Sequence, residues 1–127
     1  MKFYDPKTVA TPGASYHQSV EIPAGARILY ISGQVGQRPD GTNATGIEEQ
    51  SEVVWQNISA ILADAGMSIE NLIKINSYLV KPDDFAKYGA VRGKFLNGHR
   101  PASTSAIVLA LANPAWLVEV EAVAAKA

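Results

Sequence analysis

The spacing of apolar positions changes along the chain, and the changes mark its elements. Ser19 to Ile22 and Arg27 to Ser32 are short strand-like runs separated by Pro23-Ala24-Gly25, a turn composition, which predicts a hairpin. After the turn signal Arg38-Pro39-Asp40-Gly41, Val54, Ile58, Ile61, Leu62 and Ala65 recur with helical period. They predict a helix over Ile47 to Ala65, with Glu48 and Glu49 favouring its start and Gly66 its stop. Asn71 to Val80 alternates Ile73, Ile75 and Leu79 against Lys74, Asn76 and Tyr78, the period of a strand that Lys81-Pro82 ends. A second helix opens at Asp83 or Asp84 and presents Phe85, Tyr88, Val91 and Phe95. Thr104 to Leu111 and Trp116 to Ala124 read as two final strands, so the order is ββαβαββ.

Two helices can cover only one face of such a sheet. Yet Ile28 to Ser32 and Ser105 to Leu111 are apolar on both sides, as in strands buried on both faces. The simplest cover for the second face is another copy of the same chain, which predicts a homo-oligomer with pockets at its junctions.

With 127 residues the chain suits one domain, 1–127, able to bury about two-thirds of its unfolded surface. Its 47% hydrophobic and 18% charged content excludes disorder as the main state. Eleven Lys and Arg against 12 Asp and Glu, without a basic cluster, argue against nucleic acid or an anionic membrane as partner. Cysteine is absent, which fits a reducing cytoplasm and removes thiolate chemistry. No apolar run is long enough to span a membrane.

Several chemical motifs fail on inspection. Gly41 and Gly46 have phosphate-loop spacing, but Ile47 and Glu48 occupy the Lys and Ser/Thr positions. His17 and His99 stand far apart without cysteine, so no metal site is expected, and no Gly-x-Ser-x-Gly elbow exists. The alternation of the last strand places Glu119 and Glu121 on one face, opposite Val118, Val120 and Ala122. That pair is either a solvated or salt-bridged edge or a general acid/base in a pocket at an oligomer seam, and periodicity leaves both open.

Taken in order, Tyr16-His17-Gln18-Ser19, Ser32-Gly33-Gln34, Gln50 and Asn57 with Ala65-Gly66, Asp84-Phe85, Arg100-Pro101-Ala102 and Val118-Glu119-Val120-Glu121-Ala122 resemble the Rid family of reactive-intermediate deaminases (YjgF/YER057c/UK114). The resemblance spans about Tyr16 to Ala124. It implies an α+β, chorismate-mutase-like fold, a homotrimer, and clefts between neighbouring subunits where a small-molecule metabolite binds. In the best-known members it also implies hydrolysis of 2-imino or enamine acids without a cofactor. Tyr16, Ser32, Gly33 and Glu119 match the family's pocket positions, with Glu119 as the acid/base candidate.

Two positions depart from that pattern. Ser103 stands where deaminating members carry the arginine that holds the substrate carboxylate, and Gly89 where they usually carry asparagine. A hydroxyl cannot replace a bidentate guanidinium to carboxylate pair, so 2-imino acid deamination is not the expected reaction. Arg100 is a candidate substitute cation or else a surface or interface arginine. Ser103 and Ser105 are expected to line the pocket, and Lys74 either reaches the cleft or snorkels. The alternatives are a non-catalytic ligand sensor or chaperone-like trimer, and an RNA-cleaving role that the charge balance disfavours.

Overall fold

A computed structural model describes residues 1–127. Its elements are β1 (Lys2–Phe3), β2 (Val20–Glu21), β3 (Arg27–Val35), α1 (Ile47–Asp64), β4 (Leu72–Leu79), α2 (Phe85–Leu96), β5 (Ala102–Ile107) and β6 (Val118–Lys126). Strands β3, β6, β4 and β5 form one mixed sheet in that order. β6 is antiparallel to both neighbours, whereas β4 and β5 are parallel because α2 carries the chain back between them. Both helices lie on one face. Val54, Trp55, Ile58 and Leu62 of α1 and Tyr88 and Leu96 of α2 close over Ile75, Leu79, Val118 and Val120. The fold is α+β, as the resemblance implies, with both helices on one face as the pattern predicts.

Five local expectations change. β2 makes no hairpin with β3 but pairs antiparallel with β1, so Pro23-Ala24-Gly25 turns the chain without closing a ladder. A register shift between Leu72 and Lys74 brings Leu72 into the core in place of Ile73. β5 stops at Ile107, because its last partner on β4 is Leu79 and Pro82 ends that strand; Leu109 is fully exposed. At the other terminus, Trp116 Nε1 donates to Asn43 and the Leu117 amide donates to Gln50, so β6 begins at Val118 and continues to Lys126 opposite Arg27. On α2, Tyr88 and Val91 are buried as expected, but Phe85 is largely exposed.

The helix-free face is open in the single chain. Tyr30 is 79% exposed and Ile28 is 49% exposed, while Leu29 and Ile31 of the same strand turn to the helices. Alternation alone predicts a division into two sets, and no helix of the chain covers the second face.

Gln50 ties the helix layer to two loops. It is buried, donates through Nε2 to the carbonyls of Ala44 at 3.2 Å and Ala115 at 2.8 Å, and accepts the Leu117 amide at 2.8 Å. Gly36 packs against it so closely that a Cβ would lie 2.7 Å from Gln50 Cβ and 2.8 Å from its Cα. Gln50→Leu strands three backbone groups, and we expect a loss of about 2 to 4 kcal/mol in denaturant unfolding. Gly36→Ala should be destabilising through the clash, with no hydrogen-bonding group removed; a neutral result for both variants would contradict this role.

Candidate functional site

Glu119 and Glu121 project from β6 away from the helices, as their alternation with buried Val118, Val120 and Ala122 requires. Their surroundings differ. Glu121 accepts hydrogen bonds from Asn76 Nδ2 at 3.0 Å and the Tyr78 hydroxyl at 2.8 Å, both across the β4–β6 ladder. That bond, with burial and the carboxylate charge, pushes the Tyr78 phenol above its ordinary pKa. Glu121 is therefore a tied structural carboxylate. Glu119 has no hydrogen-bond partner in the chain and lies over Gly33, where any Cβ would run into its carboxylate oxygen and stand 2.8 Å from Cδ. Gly33 sits beside exposed Ser32 in the register shift that interrupts β3 between Ile31 and Gln34. The glycine and the bulge together leave the Glu119 carboxylate its place.

A second group gathers at the opposite edge of the sheet. His17 bridges Ala102, so the segment 13–17 runs along the start of β5. Arg100 Nη2 donates to the carbonyls of Gly13 at 3.1 Å and Tyr16 at 2.8 Å, so this guanidinium holds the loop that carries Tyr16. Ser103 and Ser105 stand in register with Ile75 and Ser77, on the helix side of β5, and both are half-buried. Lys74, on the open face, donates to Thr104 Oγ1 at 2.8 Å instead of reaching toward Glu119.

Within one chain the two groups do not converge. β3 and β5 are three strand spacings apart, about 14 Å, and Glu119 and Ser103 lie on different faces. Ser32, Gly33 and Glu119 form one half; Tyr16, Ser103 and Ser105 form another.

Both histidines are engaged: His17 Nδ1 lies 2.6 Å from Asp5 Oδ2, and His99 Nε2 lies 2.7 Å from the Leu72 carbonyl. The Gln18 amide and His17 hold the Asp5 carboxyl below its usual range. No three potential metal ligands come together. No helix is long and apolar enough to cross a membrane.

Arg92 is a residue that the sequence reading passed over. It is 8% exposed on the inner stripe of α2, one turn after Tyr88, and counting by 3.6 from Tyr88 would have placed it there. Burial pushes the Tyr88 phenol up, which its contact with Ser77 at 2.5 Å and the charge of Arg92 partly oppose.

Residues 7–126 match the family model described as endoribonuclease L-PSP. Among curated proteins, the chain is 33% identical to the yeast (Saccharomyces cerevisiae) protein MMF1, mitochondrial, over 83% of this chain and 71% of that one. It is 34% identical to a RutC family protein of Pyrococcus horikoshii over 91% and 90% of the two chains. Among solved structures it superposes on YyfB of Yersinia pestis, a protein of unknown function in the conserved Rid family, with TM-score 0.86, 32% identity and 98% of each chain covered. Yeast Mmf1 superposes with TM-score 0.75 and 32% identity over 91% of this chain and 90% of that one. The chorismate-mutase-like α+β architecture is common to these structures. By family match, sequence relatives and fold together, the chain belongs to the endoribonuclease L-PSP family, also called the YjgF or Rid family.

Proposed function

We propose that the protein acts as a homotrimer whose clefts between neighbouring subunits bind a small polar metabolite, and that it hydrolyses an imine, enamine or related group there. The observation that carries this reading is Glu119: a half-buried carboxylate without a partner, lying over a glycine on an uncovered face. A structural carboxylate at that position would be tied, as Glu121 is. The separation of the two groups of site residues supports assembly, because a second chain laid on the open face can bring one chain's Glu119 to another's Tyr16, Ser103 and Ser105. Exposed Ile28 and Tyr30 supply the apolar surface for that contact.

The chemistry needs no cofactor. Glu119 takes a proton from water as the oxygen attacks the C=N carbon and returns it to the nitrogen; it then passes the carbinolamine hydroxyl proton to the amino group, and the C–N bond breaks to release ammonia and leave a ketone. The cleft holds water and imine together. Ser103 supplies no cation for a substrate carboxylate from β5. The charge balance favours a small molecule over RNA as substrate. The cytoplasm remains the expected compartment in this reading, although relatives include a protein named mitochondrial.

Release of ketone from freshly generated 2-iminobutyrate, compared among wild type, Glu119→Gln and Ser103→Arg at equal concentration, tests the reaction. Ser103→Arg should accelerate release beyond wild type, because it restores the guanidinium that a 2-imino acid's carboxylate pairs with, and Glu119→Gln should lower the rate by about 10²- to 10⁴-fold in either background. An unchanged rate in Glu119→Gln removes that residue from the mechanism; ligand-induced thermal stabilisation without any turnover would favour a sensor instead. Sedimentation of wild type should give a trimer, and Tyr30→Asp should shift it toward monomer. A monomeric wild type would contradict the assembly.

A further inference from the structure

We propose that the cavity between α2 and the segment preceding Tyr16 is a binding subsite for the carboxylate of a short organic acid, with Arg92 as its cation. The inference rests on the reading of the protein as a small-metabolite binder and adds the class of ligand.

The starting observation is an uncompensated buried charge. Arg92 is 8% exposed, its Nε is buried without a partner, and its one hydrogen bond, from Nη2 to the Ser15 carbonyl, is 3.5 Å long. It pairs with no carboxylate; the chain's ion pairs are His17 with Asp5 and Arg38 with Glu49. A guanidinium cannot shed its charge to relieve burial as a lysine can, and an unpaired buried charge is costly. Five N–H donors with one long bond among them are a site for an acceptor.

The space beside it is suitable in size and character. A cavity of about 110 Å³ is lined by Arg92 together with Ser15, Phe85, Tyr88, Gly89 and Gly93. The lining contains no acidic residue. Gly89 and Gly93 keep the helix surface bare there, since a Cβ at either meets nothing within 4 Å. Glycine is unfavourable in a helix interior, so this opening exists against the helix's own preference. The volume accommodates a carboxylate and a short carbon chain, given that one water occupies about 30 Å³. The planar guanidinium matches a carboxylate bidentately, and Phe85 offers an apolar wall for the carbon chain.

Topology connects this cavity with the β5 half of the cleft. Because β4 and β5 are parallel and joined through α2, the helix runs antiparallel to them. The Tyr88 hydroxyl meets Ser77, the register partner of Ser105. Arg92 lies four residues further along, about 6 Å. Two strand residues cover about the same length, so from Tyr88 the helix carries Arg92 toward the Ile75 and Ser103 end of the two strands. α2 thus offers a cation that position 103 lacks.

Calorimetric titration of the full chain with 2-oxobutyrate, its methyl ester and inorganic phosphate decides the matter, using wild type, Arg92→Met and Gly89→Met. Wild type should bind 2-oxobutyrate in preference to the ester and phosphate, and Arg92→Met should weaken that binding by about 10- to 100-fold. Gly89→Met fills the cavity while keeping Arg92, and should weaken binding as well; it decides the question if Arg92→Met does not fold. Without ligand, Arg92→Met should melt at a higher temperature than wild type, because it removes a buried charge that has no counter-ion. Binding that survives both substitutions overturns the subsite and leaves the hydrolytic reading standing. Arg92-dependent binding without imine hydrolysis overturns the hydrolytic reading and supports the subsite. No binding of 2-oxobutyrate by wild type, or tighter binding of phosphate, overturns the subsite. So does a lower melting temperature for Arg92→Met with unchanged affinity, which would mark Arg92 as structural.

Discussion

A four-stranded sheet has two faces to cover, and this chain has helices for one. β6 runs through the middle of the problem. Its alternation sends Val118, Val120, Ala122 and Ala124 into the helix-packed core and leaves Glu119, Glu121 and Val123 on the other side. The open face therefore combines apolar surface at Ile28 and Tyr30 with carboxylates that belong in water or in a polar pocket. In the proposed reading association and chemistry draw on the same surface, and the cleft is a consequence of covering it.

Period and composition made much of this legible. Both helices, the division of β3 into two alternating sets and the shared face of Glu119 and Glu121 follow from counting by 3.6 or by two. The failures have local causes. β1 is two residues long, too short to announce itself, and the sequence therefore pairs β2 with the only visible strand nearby. The shift between Leu72 and Lys74 exchanged two aliphatic neighbours that a simple alternation cannot distinguish. β5 ended early because its partner ended, which is a property of the pair and not of residues 108–111.

The candidate site was legible in its members and not in its arrangement. Which glutamate is tied depends on Asn76 and Tyr78 meeting Glu121 across a ladder, and register was not available from the sequence. Arg100 is occupied by the carbonyls of Gly13 and Tyr16, contacts made across more than eighty residues of chain. Arg92 could have been found, since it falls on the inner stripe of α2, but an arginine between apolar neighbours is easily counted with the solvated face.

Glu119 and Gly33 meet on the open face at β6 and β3, while Ser103 and Tyr16 lie at the β5 edge, so the proposed cleft draws its two halves from two chains. Subunit complementation tests this most directly: Glu119→Gln and Ser103→Phe, each inactive alone in imine hydrolysis, are unfolded, mixed in equal amounts and refolded together. Random mixing should create clefts with both halves intact and restore about a quarter of wild-type turnover. A mixture as inactive as its components, although the assemblies have exchanged subunits, would mean that each site is built within a single chain.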